Sequence, residues 1–280
     1  MNRAVEPSQF DLADLSVEAL AVREKKIPWT WIIGISAVAL FLGAWEIACR
    51  LGLVDPLFVS PPSAVLIEAY REFFTDATIY PHLYVSFVEA VAGFGLAALV
   101  GIPLGLLMGR YRSLRAILEP FVMAMYSTPR VALLPLLVLW IGIGLTAKVT
   151  LVFLGAVFPI IVNAQAGVES ADPALVEAAV SFRATERQIF TKIMLPASLP
   201  FLIAGLRLSV GITLIMVVVA EMYASMAGVG YFIMRGGATY DTPKVFLGIL
   251  ILTLSGVVCA DLLRRLERKI APWRAPDRAR

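Results

Sequence analysis

Long apolar runs alternate with short charged segments along this chain. Each run has about 20 residues, the length with which an α-helix crosses a lipid bilayer. The runs predict six membrane-spanning helices, over residues 29–49, 83–109, 117–141, 146–167, 199–222 and 245–263. We therefore expect an all-α integral membrane fold with one transmembrane domain over residues 29–264. Residues 1–28 and 265–280 are expected to be a cytoplasmic N-terminal segment and a basic cytoplasmic tail.

Positive charges indicate which side of the membrane each segment occupies. With six spans and both ends inside, 17 of the 24 Lys and Arg residues fall in inner segments and five in outer segments. Inner loops of membrane proteins carry such an excess, so we predict cytoplasmic N and C termini. The same arrangement places residues 172–200 in the cytoplasm. Residues 1–28 lack the apolar run of a cleaved signal peptide.

Composition excludes several classes of protein. Hydrophobic residues make up 59% of the chain and charged residues 16%, against about 25% charged in an average soluble domain. The net charge of +3 has no dense basic stripe, so nucleic acid is not expected as a partner. Cys49 and Cys259 lie in apolar segments and are expected to pack rather than form a disulfide. A single histidine, His82, supports neither a metal site nor a Ser–His mechanism.

Two segments between spans are predicted to lie outside the bilayer. Residues 51–82 contain four prolines, and Pro62 or Ser63 can begin a short amphipathic helix there. Residues 223–243 are rich in glycine and are predicted to form an outer loop. Within the second span, small residues four apart favour close helix packing in lipid; they are Gly101, Gly105 and Gly109.

Polar side chains inside the spans are candidates for a translocation path. They are Arg130, Asn163 and Glu221. A charge in a span costs at least about 2.5–3.5 kcal/mol on insertion scales, so Arg130 is expected to have a role. Two alternatives stay open: an ion pair with Glu221 or Glu89, or contact with a passing substrate, which a cation would favour if the substrate were an anion.

Residues 172–200 form a polar interruption with a specific pattern. Asp172 and Pro173 predict a helix start, an N-cap acid followed by proline at the first position. A break is expected near Arg183, and Thr185 with Gln188 predicts a capping box for a second helix. The first helix has an apolar face of Leu175, Ala178, Ala179 and Phe182. The second has an apolar face of Ile189, Phe190, Ile193 and Met194, and is expected to end at Leu195-Pro196.

The spacing in this segment resembles the EAA loop of permease subunits of bacterial ATP-binding-cassette importers. The matching residues are Glu177-Ala178-Ala179, position 183, and Ile193-x-Leu195-Pro196. Other stretches match in the same order and together resemble the branch that serves nitrate, aliphatic sulfonates and taurine. They are Pro61–Val65, Pro129–Gly144, Ala204–Arg207, Ala220–Met222 and Gly228–Tyr231.

The resemblance implies the six-helix transmembrane domain of a type I importer with a cytoplasmic coupling helix. The partners it implies are two cytoplasmic ATPase subunits, an extracytoplasmic binding protein and a second copy of this chain, in a bacterial inner membrane. The residues it implies for ATPase coupling are Glu177, Ala178, Ala179, Phe182, Arg183, Ile189 and Phe190. The family has glycine where this chain has Arg183, so either the turn avoids positive φ or it is strained by roughly 1–2 kcal/mol.

Two other functions are weaker interpretations of the same sequence. A stand-alone secondary transporter needs coupling-ion carboxylates or matching broken helices, and the two halves of the chain do not look alike. A membrane enzyme has little support with one histidine. The sequence has no GxxxxGK[ST] phosphate loop, so no cofactor is expected in this chain. ATP and Mg²⁺ are expected on partner subunits.

Overall fold

The computed structural model describes residues 29–55 and 57–270, and all regular structure there is helical. The chain divides into two units, residues 1–47 and 48–280; the described part of the first unit is one helix. Predictions for residues 1–28 and 271–280 lie outside the described residues.

The described part of the chain contains eleven α-helices. They are α1 Trp29–Arg50, α2 Pro62–Tyr70, α3 Ile79–Arg110, α4 Arg112–Ser127, α5 Leu134–Ile141, α6 Leu145–Glu169, α7 Pro173–Ser181, α8 Glu186–Ile189, α9 Leu195–Ala224, α10 Val229–Ala238 and α11 Thr242–Ile270. Three short elements of other helix type join them: a π-helical turn Arg71–Thr75, a 3-10 turn Arg130–Leu133 and a π-helical segment Phe190–Met194.

The helices long and apolar enough to cross a membrane correspond to the predicted spans. Five are single spans, and α4 with the chain from Arg130 to Ile141 makes a sixth that is bent by 92°. The prediction of an all-α fold with several membrane-crossing helices is therefore confirmed, with five single spans and a sixth if the bent pair is counted as one span. In the third span Pro129 breaks the helix, whereas Pro120 lies inside α4.

The core of the second unit is built around α6, which packs between α3 and α9. The glycine stripe of α3 lies against one side of α6. A Cβ on Gly105 would lie 2.6 Å from Ala164 Cβ, and one on Gly109 would lie 2.6 Å from Val168 Cβ. The predicted close-packing stripe is therefore confirmed, because side chains at these positions would push the two helices apart.

The other side of α6 is equally close to α9. A Cβ on Gly155 would lie 2.6 Å from Met216, and one on Gly205 would lie 2.7 Å from Asn163 Cβ. Both sides of α6 are thus occupied by protein. As a result, 56% of the 18-residue apolar stretch of α6 is buried, more than in any other single span of the described chain.

Two predicted helix ends are wrong because proline was given too much weight. Pro81 lies in the first turn of α3, where no helical N–H bond is lost, so the helix begins at Ile79. Pro196 does not end the second helix of the 172–200 segment. The chain passes through the π-helical segment, where Leu195 N bonds to Phe190 O, and continues into α9.

The glycine-rich segment 223–243 is not the loop that was predicted. It contains α10, which buries Val229 and Phe232 against the neighbouring helices. Glycine lowers helix propensity by about 1 kcal/mol, but tertiary packing overrides that cost here. The loop before α10 is reduced to residues 225–228.

Candidate functional site

The first helix of the 172–200 segment begins as predicted. The Asp172 carboxylate accepts a hydrogen bond from Ala174 N at 2.8 Å, and Pro173 is the first helical residue. No residue of α7 is buried. Phe182, at its end, is 88% exposed. The helix therefore projects with apolar side chains on its surface.

Several residues expected to contact a partner are accessible on this helix. Glu177 and Ala178 are exposed and Ala179 is half-buried. Leu175 and Val180 add further exposed apolar surface. Exposed apolar patches of this kind mark interaction sites, and docking of a partner at α7 stays a prediction.

The turn after α7 has the strained conformation that the sequence left open. Arg183 has φ of 57°, in the left-handed region that favours glycine. Arg183 N bonds to Val180 O at 2.8 Å and Ala184 N to Ala179 O at 2.9 Å, the pattern of a Schellman motif. The chain therefore keeps the glycine-type turn with an exposed arginine in it.

The second helix begins with the predicted capping box. Gln188 N donates to Thr185 Oγ1 at 3.3 Å, and Thr185 N donates to Gln188 Oε1 at 2.8 Å. Ile189 is only 7% exposed and Phe190 is half-buried. Ile189 thus faces the interior of its own chain, and a role for Ile189 and Phe190 in ATPase coupling stays a prediction.

Arg130 follows the proline that breaks the third span. Its guanidinium donates to three carbonyls, Tyr126 O at 2.8 Å, Gly155 O at 3.1 Å and Thr128 O at 3.3 Å. Gly155 O lies four residues before Pro159, which has no N–H to bond to it. Arg130 supplies that missing donor and ties the break to α6.

The ion-pair alternative for Arg130 is wrong. None of the ion pairs within the described part of the chain includes Arg130. Glu89 pairs with Lys148, and Glu221 has the hydrogen bonds given below. Substrate contact by Arg130 stays a prediction.

Asn163 lies at the contact between α6 and α9. Its Nδ2 donates to Pro159 O at 2.8 Å, and its Cβ faces Gly205. The side chain is half-buried. A role for Asn163 in a path stays a prediction.

Glu221 is fully buried and positions α10. Its carboxylate accepts from Ser86 Oγ at 2.5 Å and from Gly230 N at 2.7 Å. Ser86 Oγ in turn accepts from Val229 N at 2.9 Å. A carboxylate is stabilised at a helix N-terminus, and this one holds the turn between α9 and α10. A role for Glu221 in a path stays a prediction.

Lys148 and Glu89 form a buried ion pair that sequence reasoning missed. Lys148 is 5% exposed and Glu89 is fully buried. Lys148 Nζ also donates to Ser225 Oγ at 2.9 Å. The pair lines a cavity of about 510 Å³ near the starts of α3 and α6. Two opposite charges near the same ends of two apolar runs were the signal that could have predicted it.

Comparison with known proteins identifies the family. The family described as "Binding-protein-dependent transport system inner membrane component" matches residues 101–272, more than half of the 280 residues. The chain belongs to this family. It is therefore a multi-pass inner-membrane permease of a transport system, as the resemblance implied, and not a stand-alone secondary transporter. A transport component also agrees with the expectation that the chain is not itself an enzyme.

Individual relatives cover nearly the whole permease. The taurine transport system permease protein TauC of Escherichia coli is 32% identical over 262 residues, covering 90% of this chain and 95% of TauC. SsuC of Bacillus subtilis, whose name assigns it to aliphatic sulfonates transport, is 33% identical over 263 residues, covering 94% and 95%. A solved structure of the MetNI methionine ABC transporter, in inward-facing conformations, aligns with TM-score 0.48 and 22% identity over 66% of this chain and 94% of that chain.

Proposed function

We propose that the permease imports a small sulfonate-type anion as a pair of identical chains. Two ATPase subunits in the cytoplasm drive it, and an extracytoplasmic binding protein delivers the substrate. In this arrangement the 172–200 segment and both termini face the cytoplasm, in agreement with the distribution of basic residues. ATP and Mg²⁺ bind to the ATPase subunits, since this chain has no phosphate loop.

The observation that carries the coupling role is the exposed apolar surface of α7. Phe182 is 88% exposed at the tip of a helix with no buried residue. Aromatic side chains of this kind serve as anchors in protein–protein interfaces. We infer that Phe182, Glu177 and Ala178 enter a groove on the ATPase, with Arg183 at its rim.

The substrate class rests on two supports. Relatives about one-third identical are named for transport of taurine and of aliphatic sulfonates. Arg130, at the bend of the third span, has carbonyl partners and no carboxylate partner within the described residues, so its charge is not neutralised. An unneutralised cation in a membrane favours an anion nearby. The proposed path therefore runs past Arg130.

One experiment tests both parts of this function. The permease is co-expressed with its ATPase and reconstituted with the binding protein in proteoliposomes. ATPase activity and uptake are measured with taurine, alkanesulfonates and a neutral heterocycle of similar size. We expect stimulation by sulfonates only; stimulation by the neutral heterocycle alone would refute the substrate class.

Replacing Phe182→Asp in the same preparation tests the docking role. We expect ATPase retention, the amount of ATPase subunit that stays bound to the purified permease, to fall roughly tenfold or more. The reason is that a buried aromatic anchor contributes about 2 kcal/mol or more to an interface. Met226→Asp is the matched control, since Met226 is 90% exposed but lies in the loop before α10. Equal ATPase retention by both variants would contradict docking at α7.

A further inference from the structure

Both ends of the projecting helix α7 are tied by ion pairs to a single corner of the bundle. The corner is the one-residue connection at Tyr111 between α3 and α4. Arg110, the last residue of α3, donates from Nη2 to Glu186 Oε2 at 2.7 Å. Glu186 is the first residue of α8, so this bond holds the chain that leaves α7.

The chain that enters α7 is held in the same way. Arg115, in the first turn of α4, donates to Glu169 Oε1 at 2.5 Å and to Glu119 at 3.0 Å. Glu169 is the last residue of α6, three residues separate it from the start of α7, and it also accepts from Gln165 Nε2 at 3.2 Å. Arg110 and Arg115 therefore hold the two chain segments that flank α7.

The segment around α7 is held by ion pairs rather than by apolar packing of α7. No residue of α7 is buried, so its own side chains do not fix its position. The Arg110 side chain is 21% exposed and Glu186 is 81% exposed. An exposed pair adds little to stability, but a directional charge-assisted bond between two helix ends constrains their relative position.

From this corner a continuous helix leads to the break in the third span. α4 runs for 16 residues from Arg112 to the break that Arg130 caps. A displacement at its first turn is carried along a rigid element of this kind. The corner therefore connects the segment around α7 with the bent span.

We propose that the Arg110–Glu186 ion pair is a positioning link. It passes movement of α7 to the corner of the second and third spans and so to the bend at Arg130. The proposal rests on the proposed function, in which an ATPase moves α7. Without the link the ATPase still docks and hydrolyses ATP, but fewer substrate molecules cross for each ATP consumed.

The test uses the complete complex in proteoliposomes and four variants: Arg110→Gln, Glu186→Gln, the exchanged pair Arg110→Glu with Glu186→Arg, and Arg112→Gln. Arg112 is the matched control because it is exposed at the same corner and forms no ion pair within the described residues. ATPase retention, basal ATPase activity and substrate uptake per ATP are measured for each.

We expect both single variants to retain the ATPase and basal hydrolysis. Uptake per ATP should fall roughly fivefold, the factor that corresponds to about 1 kcal/mol. The exchanged pair should recover most of the loss, which a purely local structural role of either residue would not produce. Arg112→Gln should behave as the unmodified protein.

Three outcomes would overturn the link. They are single variants indistinguishable from Arg112→Gln, an exchanged pair no better than the singles, or loss of the ATPase in the single variants, which would place the pair in docking. Failure of the proposed function is seen separately. In that case Phe182→Asp would retain the ATPase, whatever the Arg110 and Glu186 variants do.

Discussion

One residue in the spans of this permease, Arg130, completes a backbone that proline has interrupted. Arg130 donates to Gly155 O, which Pro159 leaves without its helical partner. Irregular backbone in a membrane protein has to be satisfied by such groups. The sequence showed that Arg130 needed a role and left open a carboxylate or a passing substrate. It could not predict the carbonyl partner on α6, because the path of α6 past the break depends on tertiary packing.

Arg183 is one of three non-glycine residues with positive φ in the described part of the chain, together with Ala77 and Tyr240. An L-residue in the left-handed region costs roughly 1–2 kcal/mol. Glycine avoids this strain, but part of the stability gained is lost because glycine has more conformational freedom in the unfolded chain. We expect Arg183→Gly to raise the free energy of unfolding of the purified permease by about 1 kcal/mol.

The control is Arg183→Ala, measured by the same unfolding titration in mixed detergent micelles. It removes the guanidinium and keeps the Cβ that causes the strain. If strain determines the effect, Arg183→Ala should leave stability close to that of the unmodified protein. Equal stabilisation by Ala and Gly would instead indicate that the charge is unfavourable.

At the scale of elements, the sequence predicted the parts that depend on local chemistry. The six apolar runs, the Asp172 N-cap and the Thr185–Gln188 capping box needed only neighbours along the chain. The helix α10 could not be predicted, because its N-terminus depends on Glu221 and Ser86, which come from α9 and α3. Distant partners made a helix from a segment that looks like a loop.

The turn before α10 allows this dependence to be tested. A Cβ on Gly228 would overlap the Glu221 carboxylate, and its φ of +122° is strained for any L-residue. Overpacking costs about 1–3 kcal/mol and the backbone roughly 1–2 kcal/mol more. We expect Gly228→Ala to lower the free energy of unfolding by about 3 kcal/mol.

Gly237→Ala is the matched control for that measurement. Gly237 lies in α10 with open space around it, so alanine should be neutral or stabilise by about 0.5–1 kcal/mol. Similar losses for both variants would show that α10 tolerates no alanine. The Glu221 anchor would then not be the cause.

Across the whole molecule, the two ends of the bundle are held by different kinds of contact. At the corner beside α7 the ion pairs are partly exposed. At the other end the Lys148–Glu89 pair is buried, and Lys244 there forms partly exposed pairs with Glu72 and Asp241. Partly exposed pairs separate at low cost, whereas a buried pair holds its helices together. Within the described residues, the end that carries α7 has only partly exposed ion pairs and no buried one.

This contrast predicts a specific pattern of stability. Breaking a buried pair costs about 3–5 kcal/mol, whereas replacing both partners with apolar residues is often neutral. We expect Lys148→Met to lower the free energy of unfolding by about that amount, and Lys148→Met with Glu89→Leu to recover most of it. The measurement is unfolding in mixed detergent micelles.

Lys192→Met is the control for loss of a lysine. Lys192 is exposed and has no ion pair within the described residues. Its replacement should change stability by less than about 0.5 kcal/mol. A Lys148→Met variant as stable as Lys192→Met would mean that the buried pair does not hold this end together.

The π-helical segment Phe190–Met194 has a consequence for the direction in which the permease meets a partner. A π turn contains one residue more than an α turn, and each α-helical residue advances about 100° around the axis and about 1.5 Å along it. The inserted residue therefore changes the angle at which α8 lies around the axis of α9. The direction in which Phe182 projects therefore depends on this segment. Deleting one residue there would rotate α7 and α8 about the axis of α9 while leaving their exposed side chains unchanged.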